Sequence, residues 1–516
     1  MACNRPNVIP FDKGTVEYGL YEKLQALVAN RNPEDKPRIL IYTDIEQDYD
    51  DLLAVIFLAE MHRMGAIELA GCIANHNPAE KRAKFLRTVL RLLGLSKVPV
   101  AVGSDGTNLA KHTRDHYYGL KNETFENQIW NKADFEEGAA LVNRLVDPKR
   151  PLTVLLISSL QDIGEYFTNH GHDQGAFLRK NFRKFVSQGG YEVETKDGSI
   201  VLNPLMDMTN NQFNESKTRS YLRDLVQFKL PSDAWSRECA KAARLQASFM
   251  ESLFELGPIG AHLKWLWMRQ EFKFFWDPYN WLYAPHLHVK WYLRTRLGLT
   301  ENELIFKELE ESRPSLDKVA PYVKVIAYDC CAAIGAVGDD FMKKMGVMGE
   351  LKGYNLETHK HRVFGKKSDD LGGIEAEGLV KVMETFLFGG LKHAHQITKD
   401  DPRLKELQED HVYCTGDPSK PSKSYSLGVF KDKILPLMKE LTDHQGKAEK
   451  FREDAKKLLL AAEHEEKEIK RKELKKKLVP LLQVESEDDV PNRDTFVIPY
   501  EELYQEAMQK IKAADR

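Results

Sequence analysis

The chain has 516 residues, 42% of them hydrophobic by a wide count and 30% charged, with 75 Lys and Arg against 78 Asp and Glu. That apolar content fills a sizeable core and excludes a chain disordered throughout. A formal net charge of −3 leaves no basic excess to neutralise phosphates, which argues against a nucleic-acid partner.

At roughly 150 residues per domain the length suggests two or three domains, or one large domain with an extension. Six scattered cysteines form no CxxC pair, so neither a disulfide scaffold nor a zinc ribbon is expected. No apolar run approaches the ~18 residues of a membrane span. The start, MACNRPNVIPFDKGTVEYG, lacks a signal-peptide core. A soluble, cytoplasmic protein with no membrane partner is the expectation.

Residues 1–37 form a mixed N-terminal segment ending in the turn-rich RNPEDKP. From there RILIYTD reads as a strand, an acidic loop follows, and LLAVIFLAEMHRMG has helical spacing. The alternation continues with IELAGCIAN (strand), PAEKRAKFLRTVLRLLG (helix), VPVAVGS (strand), FEEGAALVNRLV (helix), LTVLLISS (strand) and FRKFVSQGG (strand). Such alternation predicts an α/β fold with a wound, mostly parallel sheet flanked by helices, whose ligand sits at the carboxyl ends of the strands. Between about 215 and 320 the strand signal fades and aromatic residues crowd together, predicting helices and loops over the sheet. A late strand, YVKVIAYD, precedes CCAAIGAVG. The α/β domain is therefore placed at 38–340, and 341–516 reads as a largely helical C-terminal extension with a charge-laced helix near 447–482.

Asp44, Asp48, Asp50 and Asp51 fall within eight residues, after a strand and before a helix. Carboxylates so placed repel one another, and a cation relieves the repulsion; hard oxygen ligands suit Ca²⁺ or Mg²⁺ rather than zinc. Helix capping by Asp48 or Asp50 is the competing explanation, but a cap accounts for one Asp and not four. Asp329 ends the late strand, and two strands ending in Asp can lie side by side in a parallel sheet and share one ion.

The run TDIEQDYDDLLA resembles the aspartate fingerprint of the nucleoside hydrolases, the inosine–uridine-type nucleoside N-ribohydrolases. Asp50 and Asp51 match the paired aspartates and Asp44 the strand-end aspartate, with a loop two residues longer than the common form. The ungapped alternative sets Glu46 there, and Asp48 is an extra acid. The resemblance extends over about 38–340 through IANHNPAEKRA, LTVLLISSLQDIG, FVSQGGYEV, MTNNQFNES and AYDCCAA. It implies a nucleoside-hydrolase-like fold and hydrolysis of a ribonucleoside into base and ribose. It further implies Ca²⁺ held by Asp44, Asp50, Asp51 and Asp329 with the Gln161 carbonyl, the extra Asp48 being a further candidate ligand, a water activated by Asp44, and sugar hydroxyls held by Asn75, Asn210, Gln212 and Asn214. Gln188 stands where the family has Met, Gln212 for Glu, and Tyr328 for His, so proton donation to the leaving base falls to Tyr328 or to His116 in KHTRDHYYGL. Homo-oligomers are common in the family, and nicotinamide riboside is among the ligands of related scaffolds.

Two other readings compete. A Mg²⁺-dependent phosphohydrolase of the haloacid-dehalogenase type uses an acid pair such as Asp44-Ile45-Glu46 but leaves Asp50, Asp51 and the later motifs unexplained. A nucleoside- or protein-binding scaffold without catalysis would accommodate the Gln212 and Tyr328 departures.

Overall fold

RILIYT supplies six residues that are all buried, as a strand covered on both faces requires. This is β1 (Arg38–Thr43), the centre of the sheet in the structure, which is a computed structural model describing residues 8–46, 48–106, 135–169, 174–280, 289–311, 319, 322–349 and 360–400. The remaining strands are β2 (Glu68–Ala74), β3 (Val100–Val102), β4 (Glu136–Glu137), β5 (Leu152–Leu156), β6 (Phe182–Gln188), β7 (Tyr191–Lys196), β8 (Ser199–Pro204), β9 (Ser232–Trp235), β10 (Leu245–Gln246), β11 (Lys324–Val325) and β12 (His361–Phe364). Among the described residues eight strands form one sheet in the order β12-β9-β6-β5-β1-β2-β3-β4, every neighbouring pair parallel.

That order fixes where a ligand goes. From β1 the chain winds outward through β2, β3 and β4, then returns to β5 and winds the other way. The direction reverses between β1 and β5, and in open α/β sheets the crevice outside the carboxyl ends at such a reversal is the binding position. Helices α1 (Val16–Ala29), α2 (Asp50–Arg63) and α3 (Ala79–Leu92) are the first three of those that flank the sheet. The buried core includes Leu40, Tyr42, Ile73, Val154, Leu156, Phe167, Phe185 and Tyr221. Each large apolar side chain there removes enough surface from water to contribute roughly 1.5–3 kcal/mol.

The chain divides into two compact units, Met1–Trp267 with Val325–His411, and Met268–Lys324 with Val412–Arg516. The sheet and the acidic loop belong to the first. Its long helix Ala376–Asp400 packs on α2. The described part of the second unit is helical, with segments Val289–Thr295 and Leu304–Glu311. Most of the expected C-terminal extension lies outside the described residues.

Several expectations need correction. The sheet does not stop at residue 340: β12 completes it, and four-residue strands such as SDAW and HRVF are too short for their alternation to be legible. The run YVKVIAYD yields only Lys324–Val325, which lies outside the eight-stranded sheet. Asp329 is instead the second residue of a helix, Tyr328–Val337. That helix carries Ala332, Ala333, Gly335 and Ala336, and a Cβ on Gly335 would collide with the indole of Trp235 in β9. Small residues thus let the helix lie close against the sheet.

Candidate functional site

The loop after β1 is held from three sides. The Thr43 hydroxyl donates to the Asp51 carboxylate and accepts from the Ile45 amide at 3.1 Å. Arg82 of α3, 0% exposed, donates through Nη1 to the carbonyls of Asp44 and Ile45, the second at 2.9 Å. Glu46 adopts left-handed backbone, with φ at +82°, and its Oε2 lies 2.8 Å from His262 Nε2, both side chains buried.

Asp50 and Asp51 are the first two residues of α2. Its N-cap is Tyr49, with no side-chain cap hydrogen bond, and the Tyr328–Val337 helix is likewise uncapped by a side chain at Ala327. Neither Asp48 nor Asp50 therefore serves as a side-chain N-cap, although Asp50, Asp51 and Asp329 stand in the first turns of their helices, where the dipole favours an acid. Asp48, Asp50 and Asp51 bring one carboxylate oxygen each to within 4.8 Å of one another. Asp48 Oδ1 is buried with no hydrogen-bond partner among the described residues. The Asp329 helix packs on α2.

Burial and mutual repulsion hold these groups toward their protonated forms. Burial pushes the Asp44 carboxyl up to about 7, with Arg82 opposing and the charge of Asp48 adding to the rise. Burial raises Asp50 well above the usual carboxylate range, as do the charge and hydrogen bond of Asp48. Asp51 rises through burial and the charges of Asp44 and Asp48, with the Thr43 hydroxyl pulling the other way. Asp329 rises through burial and then the charges of Asp50, Asp51, Asp48 and Asp44. All four early aspartates thus act on Asp329. An all-oxygen donor set with one buried oxygen open fits a hard divalent cation.

Comparison with known proteins places the fold. The effector protein XOO4466 matches with a TM-score of 0.57 and 18% identity, covering 73% of this chain and 98% of its own. The type III effector protein XopQ, solved in complex with adenosine diphosphate ribose, matches with a TM-score of 0.58 and 18% identity, covering 73% and 99%. A purine-preferring ribonucleoside hydrolase from Gardnerella vaginalis gives a TM-score of 0.41 and 13% identity over 69% and 98%. No protein-family model and no curated protein matches the chain. This chain shares its α/β fold with the two effectors.

The remaining expected site residues divide. Asn75 follows β2 and is 0% exposed. Its Nδ2 donates to the Ser159 carbonyl at 3.1 Å and to Asp162 at 2.8 Å, and its Oδ1 accepts from the Ser158 hydroxyl. With donors and acceptor engaged, Asn75 braces β2 against the end of β5 rather than facing a ligand. Gln161 is the first residue of the Gln161–Thr168 helix, so its carbonyl points along the helix toward the amide four residues on. Its side chain accepts from Asn214 Nδ2 at 2.9 Å.

Asn210, Gln212 and Asn214 share the segment after β8. Asn210 donates to Gln188 Oε1 at 2.8 Å, and Gln212 donates to the Met206 carbonyl at 2.5 Å. Asn214 accepts from the Lys217 amide at 3.2 Å as the N-cap of the Glu215–Gln227 helix. Tyr328 is half-buried at the start of the Asp329 helix, and His116 lies outside the described residues. Glu46 faces His262, so Asp44-Ile45-Glu46 does not offer the acid pair a phosphohydrolase needs.

Sequence reasoning passed over Arg82 and the Glu46–His262 pair. Arg82 carried a signal: it falls on the buried stripe Ala79, Ala83, Leu86 and Leu90 of α3, where a charge has to find partners.

Proposed function

We propose that this chain binds a ribonucleoside or related N-riboside in the crevice between β1 and β5 and hydrolyses its N-glycosidic bond, releasing base and ribose. The observation that carries this reading is the joint burial of Asp44, Asp50, Asp51 and Asp329 around a half-buried Asp48, one of whose oxygens is buried and open. Ca²⁺ held by these carboxylates would supply Lewis acidity toward a water and the sugar hydroxyls. Asp44 is the general base: it takes a proton from the water as the water oxygen bonds the anomeric carbon and the C–N bond breaks. Tyr328 is the proton donor to the departing base. The amide groups of Asn210, Gln212 and Asn214, oriented by the protein contacts described above, hold the sugar in place and lower the entropic cost of reaction.

A nucleoside panel assayed for reducing-sugar release with Ca²⁺ present tests this. Release of base and ribose is expected, with Asp44→Asn lowering the rate by roughly 10²–10⁴-fold, the range of general-base catalysis. Release of phosphate from nucleotides with no base liberated contradicts it.

A second reading, a riboside-binding scaffold without turnover, is favoured by one observation. The amide hydrogen bonds of Asn75, Gln212 and Asn214 are already directed to protein atoms. The XopQ structure holds adenosine diphosphate ribose, which makes that compound the probe. Saturable binding of adenosine diphosphate ribose with every nucleoside left intact selects the scaffold.

A further inference from the structure

Arg82 spends a fully buried guanidinium on main-chain oxygen. All four of its hydrogen bonds among the described residues go to carbonyls: Asp44 and Ile45 (2.9 Å) in the loop after β1, and His76 (3.0 Å) and Asn77 (3.2 Å) in the loop after β2. The two loops belong to adjacent strands, paired through Thr43 and Ala74. One carries the aspartates. The other begins at Asn75, which is tied to the end of β5.

Burying a guanidinium is costly. The charges of Asp44, Asp51, Glu46 and Asp48 offset part of that cost, yet those hydrogen bonds go to carbonyls, and a long side chain on an apolar helix stripe has cheaper hydrophobic replacements. The planar fork of five donors is what such a position retains, because it reaches several acceptors in one fixed geometry. Two left-handed residues flank the clamp, Glu46 with φ at +82° and His76 at +68°. Such backbone persists only where neighbouring contacts hold it. Arg82 grips the residue before Glu46 and the carbonyl of His76 itself, while His262 grips the Glu46 side chain.

We infer that Arg82 is a positioning residue. It locks the aspartate loop and the asparagine loop together so that the carboxylates of Asp44 to Asp51 converge on a cation. This rests on the cation-binding part of the function proposed above. Partners one step removed from a metal typically change its affinity by 10–100-fold when lost. Lys is the informative replacement: it keeps the charge and most of the stem but cannot bridge four carbonyls.

The test pairs Ca²⁺ titration calorimetry on the full chain with hydrogen-exchange mass spectrometry on segments 44–49 and 75–78, for wild type, Arg82→Lys and Arg82→Gln. The expected result is a loss of Ca²⁺ affinity of about tenfold or more in Arg82→Lys, with faster exchange in both segments and an unchanged circular-dichroism spectrum. Should Arg82→Lys fail to fold, Arg82→Gln, which keeps an amide donor, is read the same way. Wild-type Ca²⁺ affinity in the variant, or faster exchange confined to α3, overturns the inference. If wild type itself takes up no Ca²⁺, the cation reading falls, and joint loosening of the two segments still decides whether Arg82 joins the loops.

Discussion

His262 Nε2 lies 2.8 Å from Glu46 Oε2, and both side chains are buried. The pair anchors Glu46, which among the described residues is the left-handed one in the loop between Asp44 and Asp48. Replacing Glu46 with Ala removes the anchor, leaves a buried imidazole nitrogen without its carboxylate, and retains a Cβ at positive φ. The expected loss of stability is about 1–3 kcal/mol, the desolvation cost of an orphaned buried group. Chemical denaturation of Glu46→Ala and His262→Ala checks it. Their double variant is expected to lose less than the sum of the singles, since either change already breaks the same contact.

Stability in the absence of cation is expected to fall as pH rises toward neutrality. The Asp44 carboxyl goes from an ordinary 3.8 to about 7 on folding because burial disfavours its charge. The folded state therefore binds more protons than the unfolded state across that window, and the stability gained below pH ~4 is lost as pH rises through about 7. Asp50, Asp51 and Asp329 shift in the same direction. Thermal melts in chelator from pH 5 to 8 should show a declining Tm, and excess Ca²⁺ should restore more at the upper end than at the lower. A chelator-treated Tm that climbs over this range would contradict the burial account.

Glu60, at the last turn of α2, titrates in the opposite sense. Burial pushes its carboxyl up, but the Arg63 and His393 hydrogen bonds and charges outweigh burial and bring it down to about 2. It accepts from the Tyr21 hydroxyl at 2.5 Å and from Arg63 at 2.8 Å, with His393 of the Ala376–Asp400 helix 3.2 Å away. Its contribution is present above pH ~4.5 and lost as pH falls through about 2. Glu60→Ala leaves Arg63 without its partner in a largely buried setting and should cost about 3 kcal/mol, as breaking a buried pair does. Urea denaturation measures it. A loss under 1 kcal/mol would mean the network is not holding α1, α2 and the long helix together.

What the sequence made legible was the strand-loop-helix alternation and the acidic loop. Both rest on local signals, a β-branched run and a dense set of like charges. Asp329 was singled out for a strand-end position it does not occupy. The apolar run VKVIAYD has no periodicity that separates a strand from a helix entry, and the small residues after it decided for the helix. Asn75 looked like a pocket residue because its motif sits at a strand end. Its three protein bonds come from Ser158, Ser159 and Asp162, over eighty residues away, a separation no local pattern encodes. The Glu46–His262 pair joins residues 216 apart and was invisible for the same reason.

The central claim is that four buried aspartates and the half-buried Asp48 gather to hold one divalent cation. Ca²⁺ titration calorimetry of the full chain at pH 7, repeated in buffers of different ionisation heat, tests it most directly, because carboxylates held toward protonation must release protons when the ion binds. The account predicts Ca²⁺ uptake in about a 1:1 ratio with proton release, both sharply weakened in Asp329→Asn and Asp51→Asn. Uptake without proton release, or affinity untouched by Asp329→Asn, would contradict it.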